Sequence, residues 1–199
     1  MLHLILFEPE IPPNTGNIIR LCANTGTTLH LVRPLGFSLD DAQLRRAGLD
    51  YRDLARVHQH ADLAACLQEL SGSRVFAVET RSGAPYTERQ YQAGDAFLFG
   101  RETSGLPAEL LMTWPAEHLI RLPMIAGNRS LNLSNAAAIV IYEAWRQLDF
   151  SGGCAAQNPP ARDQIADDVP VARIDTDSAR SASNAGMPSG RASRKPCPS

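Results

Sequence analysis

Three short stretches of this sequence combine polar side chains with glycines. The first, "NTGNIIR", follows two prolines and opens a helical pattern. Its candidate residues are Asn14, Gly16, Asn17 and Arg20. Asn17 and Arg20 are three positions apart, so they share one face of a helix. A guanidinium beside amides can contact a phosphate or stabilise a developing negative charge. The alternative is an ordinary helix that Asn14 or Thr15 caps.

The second stretch, "FLFGRETSGLP", ends a strand at Gly100 and continues through Glu102 into a short helix. Gly100 and Gly105 have the G-x-x-x-x-G spacing of a P-loop. However, Leu106 and Pro107 replace the lysine and the serine or threonine with which a P-loop holds phosphate and magnesium. No G-x-G-x-x-G occurs in the chain either. The sequence therefore disfavours a phosphate-cradling NTPase and a standard dinucleotide enzyme.

The third stretch, "GNRSLNLSNAAAIVIYEAWRQL", leads into the most apolar helix of the chain. The entrance to this helix carries a dense polar cluster: Ser130, Asn132, Ser134 and Asn135. A helix needs one or two side chains to satisfy the N–H groups of its first turn, and Asn132 or Ser134 is the candidate cap. The remaining polar groups exceed what capping requires, so we expect them to face a ligand. Small and apolar residues on nearly every face from Ala136 onward predict a buried helix.

Other groupings are less informative. His58 and His60 form an H-x-H pair, but no third ligand stands near them, so exposed histidines are favoured over a metal site. No G-x-S-x-G elbow supports a hydrolase triad. A compact basic stretch, "LRRAGLDYR", contains Arg45, Arg46, Tyr51 and Arg52. Two interpretations of this stretch are equally good: it holds phosphates and stacks a base of a nucleic acid, or it is the solvated end of a helix.

The elements between these stretches predict an α/β fold. Almost continuous apolar runs predict strands at residues 2–7, 28–33, 74–80, 95–100 and 118–123, with a weaker one near 55–59. Helical patterns occupy residues 14–25, 40–47, 61–70, 107–112 and 132–148. Gly26 is placed to end the first helix. Strands that are apolar on both faces and alternate with helices are typical of a mainly parallel sheet with helices on both faces. Ligands of such sheets bind beside the carboxyl ends of the strands.

Composition limits the class of protein. The chain has 199 residues, of which 44% are hydrophobic and 20% charged, and its net charge is −2. The four cysteines show neither C-x-x-C pairing nor zinc-like spacing, which favours a reduced, cytoplasmic setting. We expect no signal peptide and no membrane span, because every apolar run is well short of about 20 residues. Residues 1–150 form the predicted domain, and residues 151–199, rich in Ser, Ala, Gly, Pro and Arg, predict a disordered tail.

Together, "NTGNIIR", "FGRETSGLP" and "IRLPM…NRSLNLSNAAAIVIYEAW" resemble the three motifs of the SPOUT methyltransferases, in their ribose 2′-O-methyltransferase branch. With "LRRAGLDY" and "NLSNA" included, the sequence is most similar to the tRNA (cytidine/uridine-34) 2′-O-methyltransferases. The resemblance covers residues 1–150. Arg101 stands at a position where the resembling family frequently has proline, and we expect this difference to have little effect on the site. The resemblance implies a SPOUT-type fold with a C-terminal trefoil knot, a homodimer with sites at its interface, and S-adenosylmethionine as cofactor.

The resemblance also implies roles for individual residues. The positions matched to cofactor binding are Val78, Gly100, Leu122 and Ser130. Arg20 matches the catalytic arginine, which reaches the site from the partner subunit and is often described as a general base. Because a guanidinium essentially never deprotonates in proteins, we interpret Arg20 instead as a cation that stabilises a developing alkoxide. The reaction is an in-line displacement on a sulfonium methyl group and requires no metal.

The implied substrate is the ribose of nucleotide 34 in the tRNA anticodon loop, since single-stranded loops let a nucleotide turn out toward a pocket. Arg45, Arg46 and Tyr51 are candidate contacts to that loop. Two alternatives stay open. The first is 2′-O-methylation of another tRNA position or of ribosomal RNA, and the second is a non-catalytic RNA-binding protein with a vestigial pocket.

Overall fold

A computed structural model describes residues 1–38, 56–128 and 130–154. Within these residues, parallel strands form one sheet in the order β3-β2-β1-β6-β4-β7-β5. The strands are β1 (His3–Phe7), β2 (Thr28–Val32), β3 (Val57–His60), β4 (Val75–Glu79), β5 (Ala84–Pro85), β6 (Ala96–Phe99) and β7 (Leu119–Arg121). The six strands expected from the apolar runs are confirmed. The two-residue β5 was not expected, because it is too short to show a periodic pattern.

Four helices connect these strands in the described part of the chain: α1 (Pro12–Thr25), α2 (Leu63–Glu69), α3 (Ala108–Thr113) and α4 (Leu133–Gln147). Each corresponds to a predicted helix, and Gly26 ends α1 with a φ of 71°, a conformation that glycine adopts without strain. Short 3₁₀ turns cover Tyr86–Glu88 and Ala116–His118. The remaining predicted helix, at 40–47, lies outside the described residues.

The helices cover both faces of the sheet. Along β1, successive side chains point to opposite faces. Leu4 and Leu6 belong to the apolar cluster that contains the buried residues of α1 and α4. Ile5 belongs to a second cluster, with Cys66 of α2 and the apolar side chains of α3. The prediction of an α/β fold with helices on both faces is therefore confirmed.

Helix α4 is buried on one face rather than all round. Its buried residues are Ala137, Val140, Ile141 and Ala144, and this face packs against α1. On another face, Ile139 is 38% exposed and Tyr142 is 47% exposed. The expectation of burial on nearly every face was wrong for the single chain, because the sheet and α1 cover only one side of α4.

The histidines of β3 also differ from expectation. His58 is exposed, but His60 is only 6% exposed. Strand β2 pairs in parallel with β3 and brings His30 into register with His58, while α2 adds Cys66 and Glu69. The expectation that no third ligand stands near this pair was wrong, because the other groups arrive from elements distant in sequence. Burial, followed by the neighbouring histidines, lowers the pKa of His30 to about 3.

After α4 the chain turns back, and the Trp145 indole N–H donates to the carbonyl of Ser151 at 3.0 Å. Residues 155–199, most of the predicted tail, lie outside the described residues. Among the residues described, no helix is both long and apolar enough to cross a membrane. The trefoil knot stays a prediction.

Candidate active site

The sheet order places β1 beside β6, so the polar stretches that follow these two strands meet at one edge. Arg101 forms an ion pair with Glu8, and its Nε donates to the same carboxylate at 2.9 Å. Thr103 donates its backbone N–H and its hydroxyl to the Glu10 carboxylate, at 3.1 and 2.7 Å. Side chains therefore tie the loop after β1 to the loop after β6. The arginine that stands where proline is frequent has a structural partner in this chain.

Helix α1 is capped from a distance. The expected cap, Asn14 or Thr15, was wrong: the helix begins at Pro12, after Ile11, and no local side chain caps it. Instead, the Glu102 carboxylate accepts the backbone N–H groups of Glu10 at 2.8 Å and Ile11 at 3.2 Å. A carboxylate at this position also complements the positive end of the helix dipole.

The reason for this difference lies in the prolines. Proline is favoured in the first turn of a helix, where its missing N–H is not needed. The two prolines therefore start the helix earlier than expected and move Asn14 inside it. No local signal pointed to Glu102 as the remote acceptor, because it lies in the loop after β6.

Asn14 joins the first and third polar stretches. It is 6% exposed; its amide N–H donates to Glu102 at 3.2 Å, and its carbonyl oxygen accepts from the Asn132 amide at 2.9 Å. Asn132 also caps α4, because its Oδ1 accepts the N–H groups of Ser134 and Asn135 at 3.0 and 3.4 Å. The prediction that this position caps α4 is confirmed. One asparagine thus caps a helix and fixes the starts of two helices relative to each other.

A cleft of about 1250 Å³ opens at the carboxyl ends of β4, β6 and β7. It is lined by residues 78–81, 99–105 and 130–133, by Ile11 and Asn14 at the start of α1, and by Leu122, Met124, Gly127, Asn128 and Ala136. All four residues matched to cofactor binding line it: Val78, Gly100, Leu122 and Ser130. These residues lie on three separate segments of the sequence, and the fold brings them to one cavity.

Gly100 is required by its own loop. A Cβ added there would lie 2.1 Å from the carbonyl carbon of Gly105 and 2.2 Å from the nitrogen of Leu106. The loop folds back so closely because Arg101 and Gly105 exchange backbone hydrogen bonds at 3.2 and 2.9 Å. Residues 99–105 line the cleft, so the close backbone approach at Gly100 fixes the shape of this wall.

Arg20 is placed differently from the cofactor candidates. It is exposed on α1, six residues after Asn14, which is about 9 Å along a helix axis. It is not among the residues lining the cleft of its own chain. Asn17 is exposed on the same helix. The candidate RNA contacts Arg45, Arg46 and Tyr51, and also Arg52, lie outside the described residues.

Comparisons with known proteins agree with this geometry. The SpoU rRNA Methylase family matches residues 1–142 of the chain. A tRNA (cytidine(34)-2′-O)-methyltransferase of Methylovorus glucosotrophus is 58% identical over 152 residues, which are 76% of this chain and 99% of that protein.

Solved structures are similar as well. One, described as "Structural insights into the 2-OH methylation of C/U34 on tRNA", is 47% identical with a TM-score of 0.70, over 75% of this chain and 97% of the other. An AdoMet-bound rRNA methyltransferase from Sinorhizobium meliloti is 27% identical with a TM-score of 0.64, over 74% of this chain and 56% of the other.

Proposed function

The chain belongs to the SpoU rRNA Methylase family, and we propose that it methylates the ribose 2′-oxygen of nucleotide 34 in the anticodon loop of tRNA, with S-adenosylmethionine as methyl donor. The observation that carries this proposal is the convergence of Val78, Gly100, Leu122 and Ser130 on one cleft. The similarity to a tRNA (cytidine(34)-2′-O)-methyltransferase supports nucleotide 34 as the target. The reaction needs tRNA, so we propose that the enzyme acts in the cytoplasm.

The cleft fits the cofactor. Val78, Leu122 and Leu133 give it apolar walls suited to a nucleoside base. The bare backbone at Gly100 and the hydroxyl of Ser130 give it polar groups for a ribose and an amino acid moiety. S-adenosylmethionine, when bound, supplies an electrophilic methyl group. The residues of the chain then have to hold the 2′-oxygen in line with that group and stabilise the negative charge that develops on the oxygen.

Arg20 is the residue that we propose stabilises this charge. A guanidinium keeps its proton in proteins, so its contribution is electrostatic. We expect Arg20→Ala to lower kcat by about 10²–10³-fold and Arg20→Lys to retain part of the activity with an unchanged pH profile. If instead the pH–rate profile of the lysine variant gave a lower apparent pKa than that of the parent, Arg20 would act as a base. Arg146→Ala, which removes an exposed arginine from the far end of α4, is the control.

We propose that the active form is a homodimer in which Arg20 serves the cleft of the partner chain. Two observations support this: Arg20 is not part of its own cleft, and Ile139 and Tyr142 form an exposed apolar face on α4, the helix that packs beside α1. Mixing Arg20→Ala chains with Val78→Phe chains, in which the larger side chain fills the cleft, tests this directly. Mixed dimers should contain one complete site and regain activity. If Arg20 serves its own cleft, each dimer type stays inactive.

The activity itself is tested with labelled S-adenosylmethionine, the full chain and whole tRNA, followed by mapping of the methylated ribose. We expect methylation at nucleotide 34 and none when that nucleotide carries 2′-deoxyribose. Methylation elsewhere in tRNA, or only in ribosomal RNA, would contradict the proposed target while keeping the chemistry. Calorimetry with S-adenosylhomocysteine provides the remaining distinction, since absence of binding leaves only the non-catalytic RNA-binding alternative.

A further inference from the structure

A cluster of histidines lies on the opposite side of the sheet from α1 and α4. His30 of β2 and His60 of β3 are 1% and 6% exposed, and Cys66 of α2 is fully buried against them. One ring nitrogen of each histidine and the Cys66 sulfur all lie within 4.8 Å of one another. None of these residues lines the cleft, so the methyl-transfer reaction does not account for the cluster.

Both nitrogens of each buried ring face a polar partner, although only those of His30 are within hydrogen-bond distance on both sides. His30 Nδ1 faces His60 Nε2 at 2.9 Å. The other nitrogen of His30 faces His3 at 3.1 Å, and the other nitrogen of His60 lies 3.7 Å from the Glu69 carboxylate. Metal-binding histidines have this arrangement, with one nitrogen on the ion and the other N–H donated to an outer partner that fixes the ring.

We propose that His30, His60 and Cys66 bind one zinc ion, with His3 and Glu69 as the outer partners that orient the two imidazoles. Imidazole nitrogens and a thiolate sulfur are donors that zinc binds. In a tetrahedral zinc site, ligand atoms are about 3.3–3.7 Å apart, given Zn–N and Zn–S bonds of about 2.0 and 2.3 Å. The facing nitrogens of His30 and His60 lie 2.9 Å apart, so they need to separate by about 0.4 Å, and both rings need to turn so that their lone pairs converge on an ion beside the line that joins them.

The proton balance of binding is simple. Two neutral rings carry one N–H each, so while a proton lies between the facing nitrogens of His30 and His60, only one of the two outward nitrogens carries a proton. On binding, the ring that held the inner proton changes tautomer and carries its N–H on the outward nitrogen. The ion also displaces the thiol proton of Cys66, which is the one proton that passes to solvent. Three protein ligands leave the fourth position of a tetrahedral zinc ion to water. The site joins α2 to the edge strand β3 and to its neighbour β2, so the bound ion would stabilise this part of the fold.

The test uses the full chain without an affinity tag, stripped of metal by a chelator and then titrated with Zn²⁺ alone. We expect one ion per chain by elemental analysis and a higher Tm with zinc than without. His60→Ala and Cys66→Ser should weaken zinc affinity by more than 100-fold, whereas Glu69→Gln should weaken it by about 10–100-fold, as outer partners do. Cys22→Ser, which changes the buried cysteine of α1, is the matched control and should bind zinc like the parent.

Cobalt(II) in place of zinc provides a spectroscopic readout on the parent chain itself. The parent chain should show the near-ultraviolet thiolate-to-cobalt band and the visible bands of a tetrahedral site. The thiolate band should disappear in Cys66→Ser and persist in Cys22→Ser. Absence of stoichiometric binding by the parent, or binding that survives both Cys66→Ser and His60→Ala, would overturn the proposal and leave the cluster as a hydrogen-bonded chain of neutral imidazoles.

Discussion

Replacing Glu102 by glutamine removes the remote cap of α1 while preserving the shape of the side chain. The carboxylate accepts three hydrogen bonds, from the backbone N–H groups of Glu10 and Ile11 and from the side chain of Asn14. Glutamine has one oxygen and one NH₂ group. Since all three partners are donors, the NH₂ group must face at least one of them. Asn14 cannot rotate its amide to compensate without losing its bond from Asn132.

The expected cost follows from these contacts. The less disruptive orientation keeps the oxygen toward Ile11 and Asn14 and loses the bond from Glu10. A hydrogen bond to a charged group contributes about 1.5–3 kcal/mol, the two remaining bonds become neutral and weaker, and a charge at the helix N-terminus contributes about 0.3–1 kcal/mol. Because Glu102 is only partly buried, water compensates for part of the lost hydrogen-bond and charge interactions. We therefore expect Glu102→Gln to lower the free energy of unfolding by about 2 kcal/mol.

Urea unfolding of the full chain measures this change, with Glu117→Gln, an exposed glutamate, as the control that should stay within about 0.5 kcal/mol of the parent. A double-mutant cycle with Asn14→Ala isolates the contact, and we expect a coupling of about 1 kcal/mol. Calorimetry with S-adenosylhomocysteine should show weaker binding, because the loop that carries Glu102 also forms the cleft wall. A variant as stable as Glu117→Gln, with no coupling to Asn14, would refute the remote-cap reasoning.

Two further predictions concern close packing and burial. Gly100→Ala should destabilise the protein by about 4 kcal/mol or more, because its Cβ would meet the Gly105 backbone at 2.1 Å. The control is Gly72→Ala, at a φ of 96° with nothing within 4 Å, which should cost only about 1–2 kcal/mol. Equal losses of stability for the two variants in thermal unfolding would contradict the clash at Gly100. Burial raises the pKa of Cys22 from 9.0 to about 12, so its contribution to stability is full below pH 9 and falls as pH rises toward 12, by at most about 1.4 kcal/mol per pH unit. Alkaline urea titrations should therefore show a shallower decline for Cys22→Ala than for the parent, and no change for Cys154→Ala, whose thiol is exposed.

The strands were predictable because a strand buried on both faces is apolar at every position. The burial of β6 is continuous along its length and all its residues are apolar, so local reasoning detects it; β2 is equally buried but includes Thr28 and His30. The cleft residues were predictable for another reason. Val78, Gly100, Leu122 and Ser130 were matched to similar sequences, and ligands of parallel sheets bind where strands end.

The remote cap and the histidine cluster were not predictable, since both depend on which strands are neighbours. Capping rules look within a few residues of a helix start, whereas Glu102 is 91 residues from Ile11. Likewise, the partners of His58 and His60 lie on β2 and α2, and the register of β2 against β3 cannot be predicted from the sequence alone. The exposed apolar face of α4 was not predictable either, because the pattern of a helix does not reveal how many of its sides the neighbouring elements cover.

The loops that follow β1 and β6 explain why the cleft lies where it does. These strands are hydrogen-bonded neighbours, but the chain leaves β1 for β2 on one side and leaves β6 for β7 on the other. In such sheets the two diverging loops border a crevice, which is the usual place for a ligand. Here three acidic side chains bridge it: Glu8 to Arg101, Glu10 to Thr103 and Glu102 to the start of α1. These bridges link the two loops beside β1, so the cleft extends instead toward the ends of β4 and β7, where Val78 and Leu122 line it.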